Sequence, residues 1–343
     1  MRISPTAMHV PGSSTQPPAC GDAFVSAVIL SYNSVSTLPH VLSAVRNQTC
    51  GVSRIIIVDN GSTDGTQRYC EDACRDCALL LLPENRGIGA GHNLGWQTAL
   101  AHPSCQFVWA LEHDCIPDAH CLQELLAAYH AYAHHHPIGA VGPIQEANDN
   151  EPTGTTYVFG RTGLRKVTRL DKGSPATFRP HFTFNGTLFP RHVLRSVGPL
   201  NEALFIGHED FEYARRLHRS GFAILRVSAA MIFHNPYKPH TRVNLLGRTF
   251  LLPGADITRS YYFNRNALYL EKLYGNRSLA VLRAMLRLPL TLAYILLCRD
   301  QKLRRTQACF LSIRDGLRGN LGRRTYSFLP ALGPGRHTRD ENR

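Results

Sequence analysis

Short apolar runs alternate with helical stretches along most of this chain, and polar or acidic residues stand where the runs end. Residues 24–30 end at Ser31-Tyr32-Asn33, residues 54–58 at Asp59-Asn60, residues 107–111 at Glu112-His113-Asp114, and residues 231–233 at His234. Strands that alternate with helices imply a mostly parallel α/β sheet, Rossmann-like and flanked by helices. In such a sheet the carboxyl ends of the strands share one edge, and ligands bind there. Glu209-Asp210 opens a later helix. Groups scattered over about half the chain are therefore expected in one cleft, a set suited to a metal–diphosphate ligand beside an activated nucleophile.

The pattern predicts helices over 37–48, 89–101, 119–135 and 209–220. It predicts strands over 24–30, 54–58, 79–82, 107–111, from 140, over 182–189, and over 223–227 and 231–233. Ser62 or Thr63 is expected to cap the helix after the turn at residues 60–65. Residues 145–180 and 235–258 lack periodicity and are expected to be loops that shape an acceptor pocket, the first of them a long loop or hairpin over the cleft. From Ser260 the chain is expected to be helical. The expected organisation is a disordered leader over 1–22, a catalytic domain over 23–259, a basic amphipathic helical extension over 260–325 and a flexible tail over 326–343.

Charge separates the extension from the body. The net charge is +13, and from Arg277 to Arg343 there are fourteen Lys/Arg against four Asp/Glu, a local excess of +10. A basic tail suits an anionic membrane surface. Residues 279–297 are apolar but carry Arg283, Arg287 and Pro289. They are expected to lie at a membrane interface rather than cross it, or to pack on the catalytic domain with solvated arginines. Residues 1–20 lack the apolar segment of a secretory signal, so the ten cysteines are expected to be thiols in the cytoplasm. Cys70, Cys74 and Cys77 are spaced to share one helix face and are expected to pack as small apolar residues; a zinc site would need a fourth ligand.

Each segment has its own chemistry. Asp59, past a buried strand, can accept the ring N–H of a pyrimidine. The run Asn85-Arg86-Gly87-Ile88-Gly89-Ala90-Gly91-His92-Asn93 fails the dinucleotide spacing. It is expected to be a glycine-rich helix start that approaches a nucleotide closely, with Arg86 toward phosphate. Glu112 and Asp114 at a strand end can reach a hard cation, Mg²⁺ or Mn²⁺, that bridges diphosphate oxygens; His113 between them is placed with the donor-facing residues without a chemical role of its own. His234 can complete the metal shell through a ring nitrogen. Glu209 and Asp210 suit a helix N-terminus on dipole grounds alone. Asp210 is also placed to act as general base.

The order of these segments resembles family-2 glycosyltransferases with the GT-A fold, over roughly residues 24–275. The carriers are residues 28–33, 58–66, Asn85-Arg86-Gly87 with Asn93, Glu112-His113-Asp114, residues 185–189, Glu209-Asp210 with Tyr213, and Ile232-Phe233-His234. Tyr262, Arg265-Asn266 and Tyr269 are similar to the rhamnosyltransferase and galactofuranosyltransferase-like branch. The resemblance implies a nucleoside diphosphate sugar donor, UDP- or dTDP-linked and possibly dTDP-rhamnose. It implies a glycan or lipid-linked glycan acceptor and inversion at the anomeric carbon. Asp59 would meet the base, Glu112 and Asp114 would form the Asp-x-Asp metal motif, His234 would be a further ligand, and Asp210, with Glu209 beside it, would be catalytic. Ser31, Tyr32, Asn33, Asn60, Asn85, Arg86, Gly89, Asn93 and His113 would line the donor. The family's first motif acid is usually Asp, and Glu112 is one methylene longer. A sugar nucleotidyltransferase would need a Gly- and Lys-rich loop that residues 31–38 lack. A nucleic-acid-binding protein sits poorly with clustered acids, and no nucleic acid partner is expected.

Overall fold

The computed structural model describes residues 23–146, 156–160, 163–167, 176–234, 240–245, 248–253, 256–327 and 329. The expected leader, and most of the expected tail, lie outside the described residues. The first half of the chain runs β1 (Val25–Ser31), α1 (Leu38–Arg46), β2 (Arg54–Asp59), α2 (Thr66–Ala73), β3 (Ala78–Leu81), α3 (Ile88–Ala101), β4 (Phe107–Glu112), β5 (Cys115–Pro117) and α4 (Cys121–Ala133). There follow β6 (Ile138–Glu146), β7 (Thr156–Gly160), β8 (Gly163–Val167), β9 (Ala176–Arg179), β10 (Thr187–Pro190), α5 (Arg191–Val197), α6 (Glu209–Arg219) and β11 (Ala223–His234). The chain closes with β12 (His240–Leu245), β13 (Arg248–Pro253), α7 (Ile257–Tyr274), α8 (Arg277–Cys298) and α9 (Lys302–Arg318).

The main sheet has the order β3-β2-β1-β4-β10-β6-β11-β5, with β9 paired to β11. The strands β3, β2, β1 and β4 are parallel. Strand β10 is antiparallel to both β4 and β6, and β5 and β9 are antiparallel to β11, so the second half of the sheet is mixed. Strand β2 is the sequence Arg-Ile-Ile-Ile-Val-Asp, buried from Ile55 onward. A β-branched run of that kind belongs in a strand covered on both faces. One apolar layer joins β1, β2 and β4 to α1 and α4; the other joins them to α3, α5 and α6 through Val28, Val58, Trp96, Phe189 and Tyr213.

Several local expectations change. Residues 182–186 are irregular and only Thr187–Pro190 is strand. The two short strands expected near 223–233 are one strand with a register shift between Val227 and Met231. Residues 240–253, expected to be irregular, contain the hairpin β12–β13. Helix α2 begins at Thr66, and neither Ser62 nor Thr63 caps it; Asp64 Oδ1 accepts from the Thr66 amide at 3.1 Å and hydroxyl at 2.5 Å. That helix ends at Ala73, so Cys70, Cys74 and Cys77 do not share one helical face. Cys50 is disulfide-bonded, against the expectation of thiols throughout.

Helix α8 departs furthest from its expected form. It runs 22 residues, through Pro289, and spans about 33 Å at 1.5 Å per residue. Proline costs a helix one backbone donor but need not end it. By length and composition Arg277–Leu297 is long and apolar enough to cross a membrane, with a mean hydropathy of 1.7. Helices α7 and α9 instead pack on the catalytic domain through Phe205, Ile257, Tyr261, Tyr262 and Ala308.

Candidate active site

The nucleotide end is a lattice of short polar contacts at the carboxyl ends of β1 and β2. Asp59 is fully buried. Its Oδ1 accepts from the amides of Gly61 at 3.2 Å and Ser62 at 2.9 Å, and from Gln67 Nε2 at 2.8 Å. Its Oδ2 is buried without a hydrogen-bond partner among the described residues. Asn33 sits at φ 49°, accepts from the Thr63 amide at 2.8 Å and donates its own amide to Ser62 Oγ at 2.8 Å. Asparagine tolerates this left-handed backbone better than most residues. The hydroxyls of Ser31 and Ser34 lie 2.6 Å apart. Tyr32, between Ser31 and Asn33, is partly exposed. Asn60 donates to the Gly87 carbonyl at 3.0 Å and accepts from the Arg86 amide at 2.9 Å, and Asn85 Oδ1 accepts from the Gly87 amide at 2.9 Å. Asn60 and Asn85 thus tie the loop after β3 to the end of β2.

The start of α3 is built differently from the expectation. Asn93 donates to the Leu200 carbonyl and Glu202 Oε1, and accepts from the Leu200 amide at 2.8 Å, so its polar atoms face the 200–202 segment rather than a donor. A Cβ on Gly89 would press on Glu202 Cα at 3.3 Å, and one on Gly87 would collide with the Phe205 carbonyl at 2.2 Å. Here glycine admits neighbouring backbone, not a nucleotide. Arg86 lies 3.8 Å from Glu202 and is half-exposed.

The metal end forms where β4, β5 and β11 meet. Pairing of β5 with β11 sets His234 opposite Cys115. His234 Nε2 is 3.4 Å from Asp114 Oδ2, and His234 Nδ1 is 3.2 Å from Asn185 Nδ2. The neutral ring carries one N–H, and the orientation of the Asn185 amide decides which ring nitrogen holds it, while Nε2 is the position that faces the carboxylate. Burial raises the Asp114 carboxyl, but the hydrogen bond from His234 and the nearby imidazoles outweigh it and hold the group well below its ordinary range. Asp114, Cys115 and His234 bring potential ligand atoms within 4.8 Å of one another. Glu112 falls outside that cluster, and Cys115 stands where Glu112 was expected. Burial, then the charges of Asp114 and Glu112, raise the Cys115 thiol far above its ordinary value, so it stays protonated beside Asp114. An ionised carboxylate and an imidazole nitrogen fit a hard or borderline divalent cation; a neutral thiol adds little.

The acids expected to be catalytic stand at the N-terminus of α6. Gly207 and His208 precede it at φ 89° and 72°, a sharp turn leading into the helix. Burial raises Asp210 to about 7, although its Oδ1 accepts from the Phe211 amide at 2.8 Å. Burial raises Glu209 to about 8, and its Oε1 has no partner among the described residues. Glu112 is raised by burial, then by Asp114, with Asp210 contributing. The electrostatic contact of Glu112 with Asp114, His234 and Asp210 unites β4, β11 and α6 at one place. His113 is partly exposed between the two acids.

Two residues on α7 hold the turn in front of α6. Asn266 Nδ2 reaches the carbonyls of Leu204, Ile206 and Gly207 at 2.8–3.1 Å, and Arg265 donates to the Leu204 carbonyl at 2.9 Å. Both are fully buried. In the sequence Arg265-Asn266 stands out only as similar to the rhamnosyltransferase and galactofuranosyltransferase-like branch, with no role attached, because the carbonyls they hold lie about 60 positions earlier.

The sequence profile of glycosyl transferase family 2 matches residues 26–198. The galactofuranosyltransferase GlfT1 of Mycolicibacterium smegmatis is 28% identical over 264 residues, which cover 74% of this chain and 85% of that protein. The dTDP-rhamnosyl transferase RfbF of Shigella flexneri is 22% identical over 305 residues, 88% of this chain and 98% of its own length. Among solved structures, GalNAc-T7 with UDP, GalNAc and Mn²⁺ superposes with a TM-score of 0.56 at 14% identity, over 86% of this chain and 56% of that one. S. aureus TarS 1–349 in complex with UDP-GlcNAc gives 0.50 at 15% identity, over 86% and 81%. Those two likenesses speak for the fold alone. The family match covers half of the chain and all four strands that carry the nucleotide end, so this chain is a glycosyltransferase of family 2, built on the GT-A fold.

Proposed function

We propose that the protein transfers a sugar from a UDP- or dTDP-sugar to a hydroxyl of a glycan or lipid-linked glycan, with inversion and with help from Mg²⁺ or Mn²⁺. The observation that carries this reading is the buried Asp210 carboxyl, raised to about 7, in electrostatic contact with the acid at the end of β4. A base titrating near neutrality combines the right protonation state with the drive to take a proton.

Asp59 Oδ2 accepts the N3–H of the uracil or thymine ring, which answers its unpaired burial. Asn185, turned so that its amide oxygen accepts the Nδ1–H, would fix the His234 ring with an unprotonated Nε2 toward the ion. Asp210 takes the proton of the acceptor hydroxyl as its oxygen attacks the anomeric carbon from the side away from the diphosphate. Glu209 stays protonated beside it, a neutral neighbour that spares Asp210 a second negative charge.

Helix α8 fits an anionic membrane surface at the cytoplasmic face. Met285, Leu286, Leu290 and Leu297 are exposed by 65–75%, and Arg277, Arg283, Arg287 and Arg299 flank them. Apolar burial and charge attraction combine in such a helix. The direct test is a panel of UDP-, dTDP- and GDP-sugars with Mg²⁺ or Mn²⁺, scored for nucleotide release and then, with an acceptor, for the anomeric configuration of the product. No release from any donor, or retention of configuration, would sink the proposal.

A further inference from the structure

Beyond α9 the chain turns back to the catalytic domain. Helix α9 ends at Arg318, and Gly319 and Gly322, at φ 74° and 81°, bend the backbone that follows. Segments near a chain end commonly fray, yet residues 320–326 are held at several points. Asp315, fully buried on α9, is their anchor. Its Oδ2 accepts from Tyr261 at 2.6 Å and Tyr326 at 2.7 Å, and its Oδ1 accepts from Arg314 at 3.0 Å and Asn320 at 3.3 Å. Burial raises this carboxyl, but the hydrogen bonds from Tyr261, Tyr326, Arg314 and Asn320 outweigh it and hold it at about 2. A buried carboxylate is costly unless it is paired, and here the pairing ties residues 320–326 to α7 and α9.

Between these anchors two adjacent residues reach two parts of the site. The Gly322 amide donates to the Ala203 carbonyl at 2.6 Å, and its carbonyl accepts from Arg265 at 2.7 Å. Arg265 also donates to Leu204, in the turn before α6. The Arg323 guanidinium pairs with Glu84 and donates to the Asn85 carbonyl at 3.3 Å. Residues 84–87 form the loop that Asn60 ties to the end of β2. That loop lies on the turn after Asp59, where a Cβ on Gly61 would come within 2.5 Å of the Glu84 carbonyl carbon. Just past it, the Ile88 amide donates to the Phe205 carbonyl at 2.9 Å.

We propose that residues 320–326 form a strap that holds the loop of residues 84–87 against the turn leading into α6, and that Arg323 is a positioning residue for sugar transfer. It acts through the loop and not on the substrate. The strap keeps the seat of the nucleotide in register with the Asp210 carboxylate, and a displacement of about 1 Å between reacting groups can cost about 10²-fold in rate. The inference rests on the reading of Asp59 as the donor seat and of Asp210 as the base.

The test is a charge swap across Arg323 and Glu84. Their side chains are 48% and 65% exposed, and exposed ion pairs add little to stability, so every variant should melt within about 2 °C of the wild type. Arg323→Glu and Glu84→Arg should each speed amide hydrogen exchange over residues 84–88 by about tenfold. Each should lower the single-turnover rate at saturating donor by about tenfold, and weaken UDP binding with Mn²⁺ by no more than about threefold. Arg323→Gln, which removes the attraction without adding repulsion, should show a smaller loss of the same kind. The double variant Arg323→Glu/Glu84→Arg should recover exchange and rate to within about threefold of the wild type, a recovery that general damage to the fold would not give. Wild-type rate and exchange in both single variants overturn the assignment, and so does a loss that the swap leaves unrepaired. Absence of nucleotide release from any donor, with exchange over residues 84–88 still governed by the swap, would instead overturn the glycosyl-transfer reading and leave the strap standing.

Discussion

The nucleotide end and the reactive end of the cleft are built on opposite principles. Around Asp59, Asn33 and Asn60 nearly every polar atom has a partner within the loops that carry it. At α6, Glu209 and Asp210 are buried with few partners and hold their protons toward neutrality. A satisfied lattice is rigid and needs no ligand to hold its shape. Buried, poorly paired carboxylates are costly, and they persist where the cost serves a reaction. Substitutions at the first end should therefore act on binding, and substitutions at the second on turnover.

The largest effect should separate the two ends outright. Asp210→Asn keeps the size of the side chain and removes the base. Turnover should fall by about 10³-fold, with donor affinity nearly unchanged, as a general base of this kind contributes 10²–10⁴-fold. Asp59→Asn should do the reverse, weakening UDP binding by roughly tenfold through one lost charge-assisted hydrogen bond and leaving bound-state turnover close to wild type. Single-turnover rates at saturating donor, set beside UDP titrations, decide it. Equal damage to binding and turnover in both variants would erase the distinction.

The metal end ranks next. His234→Ala removes one of the two proposed ligands, and stimulation by Mn²⁺ should disappear over the range that saturates the wild type. Asn185→Ala leaves the ligands but frees the His234 ring, and should weaken Mn²⁺ by about 10–100-fold. Wild-type Mn²⁺ dependence in His234→Ala would remove the imidazole from the site. A smaller effect is expected at the hinge on α7. Asn266→Ala takes a donor from the Ile206 and Gly207 carbonyls, while the Leu204 carbonyl keeps Arg265. A loss of about 2–3 kcal/mol of stability follows, with kcat lowered more than donor affinity, because the displaced turn carries Asp210.

What could be read from the sequence divides along similar lines. Strand β2 and Asp59 were legible because a β-branched run followed by an acid is a local signal. The adjacency of Asp114 and His234 was legible only as convergence at a sheet edge. Strand β5 is three residues long and leaves no pattern, so the place of Cys115 beside Asp114 was hidden, and Glu112 stood in for it. Glycines 87 and 89 announce a close approach without saying to what, and the backbone of residues 201–205 proves to be the answer. Pro289 and two arginines argued against a membrane-crossing segment over 279–297, yet α8 runs unbroken through Pro289 for 22 residues.

The smallest predicted effect follows from the protons held at α6. Asp210 and Glu209 titrate near 7 and 8 in the folded protein, against ordinary values of 3.8 and 4.5. Between those limits the folded state binds more protons than the unfolded state, so stability must fall as pH rises. Their contribution is complete below the ordinary values and is lost by the time pH passes the folded ones. Asp114 works in the other sense, since its depressed carboxyl supports the fold above its ordinary value, and its influence lies at the acid end of the range. Metal-free protein should therefore melt lower at pH 8 than at pH 5.5, and Asp210→Asn should flatten that slope by removing one of the raised groups, with Glu209 and Glu112 remaining. Mn²⁺ with UDP should flatten it as well, since a bound cation stabilises neighbouring carboxylates in their charged form. A change in melting temperature from pH 5.5 to pH 8 that is the same in Asp210→Asn as in the metal-free wild type, with the buried His92, His181 and His208 common to both, would mean that Asp210 is already ionised, and it would then lack the affinity for a proton that a base at this position requires.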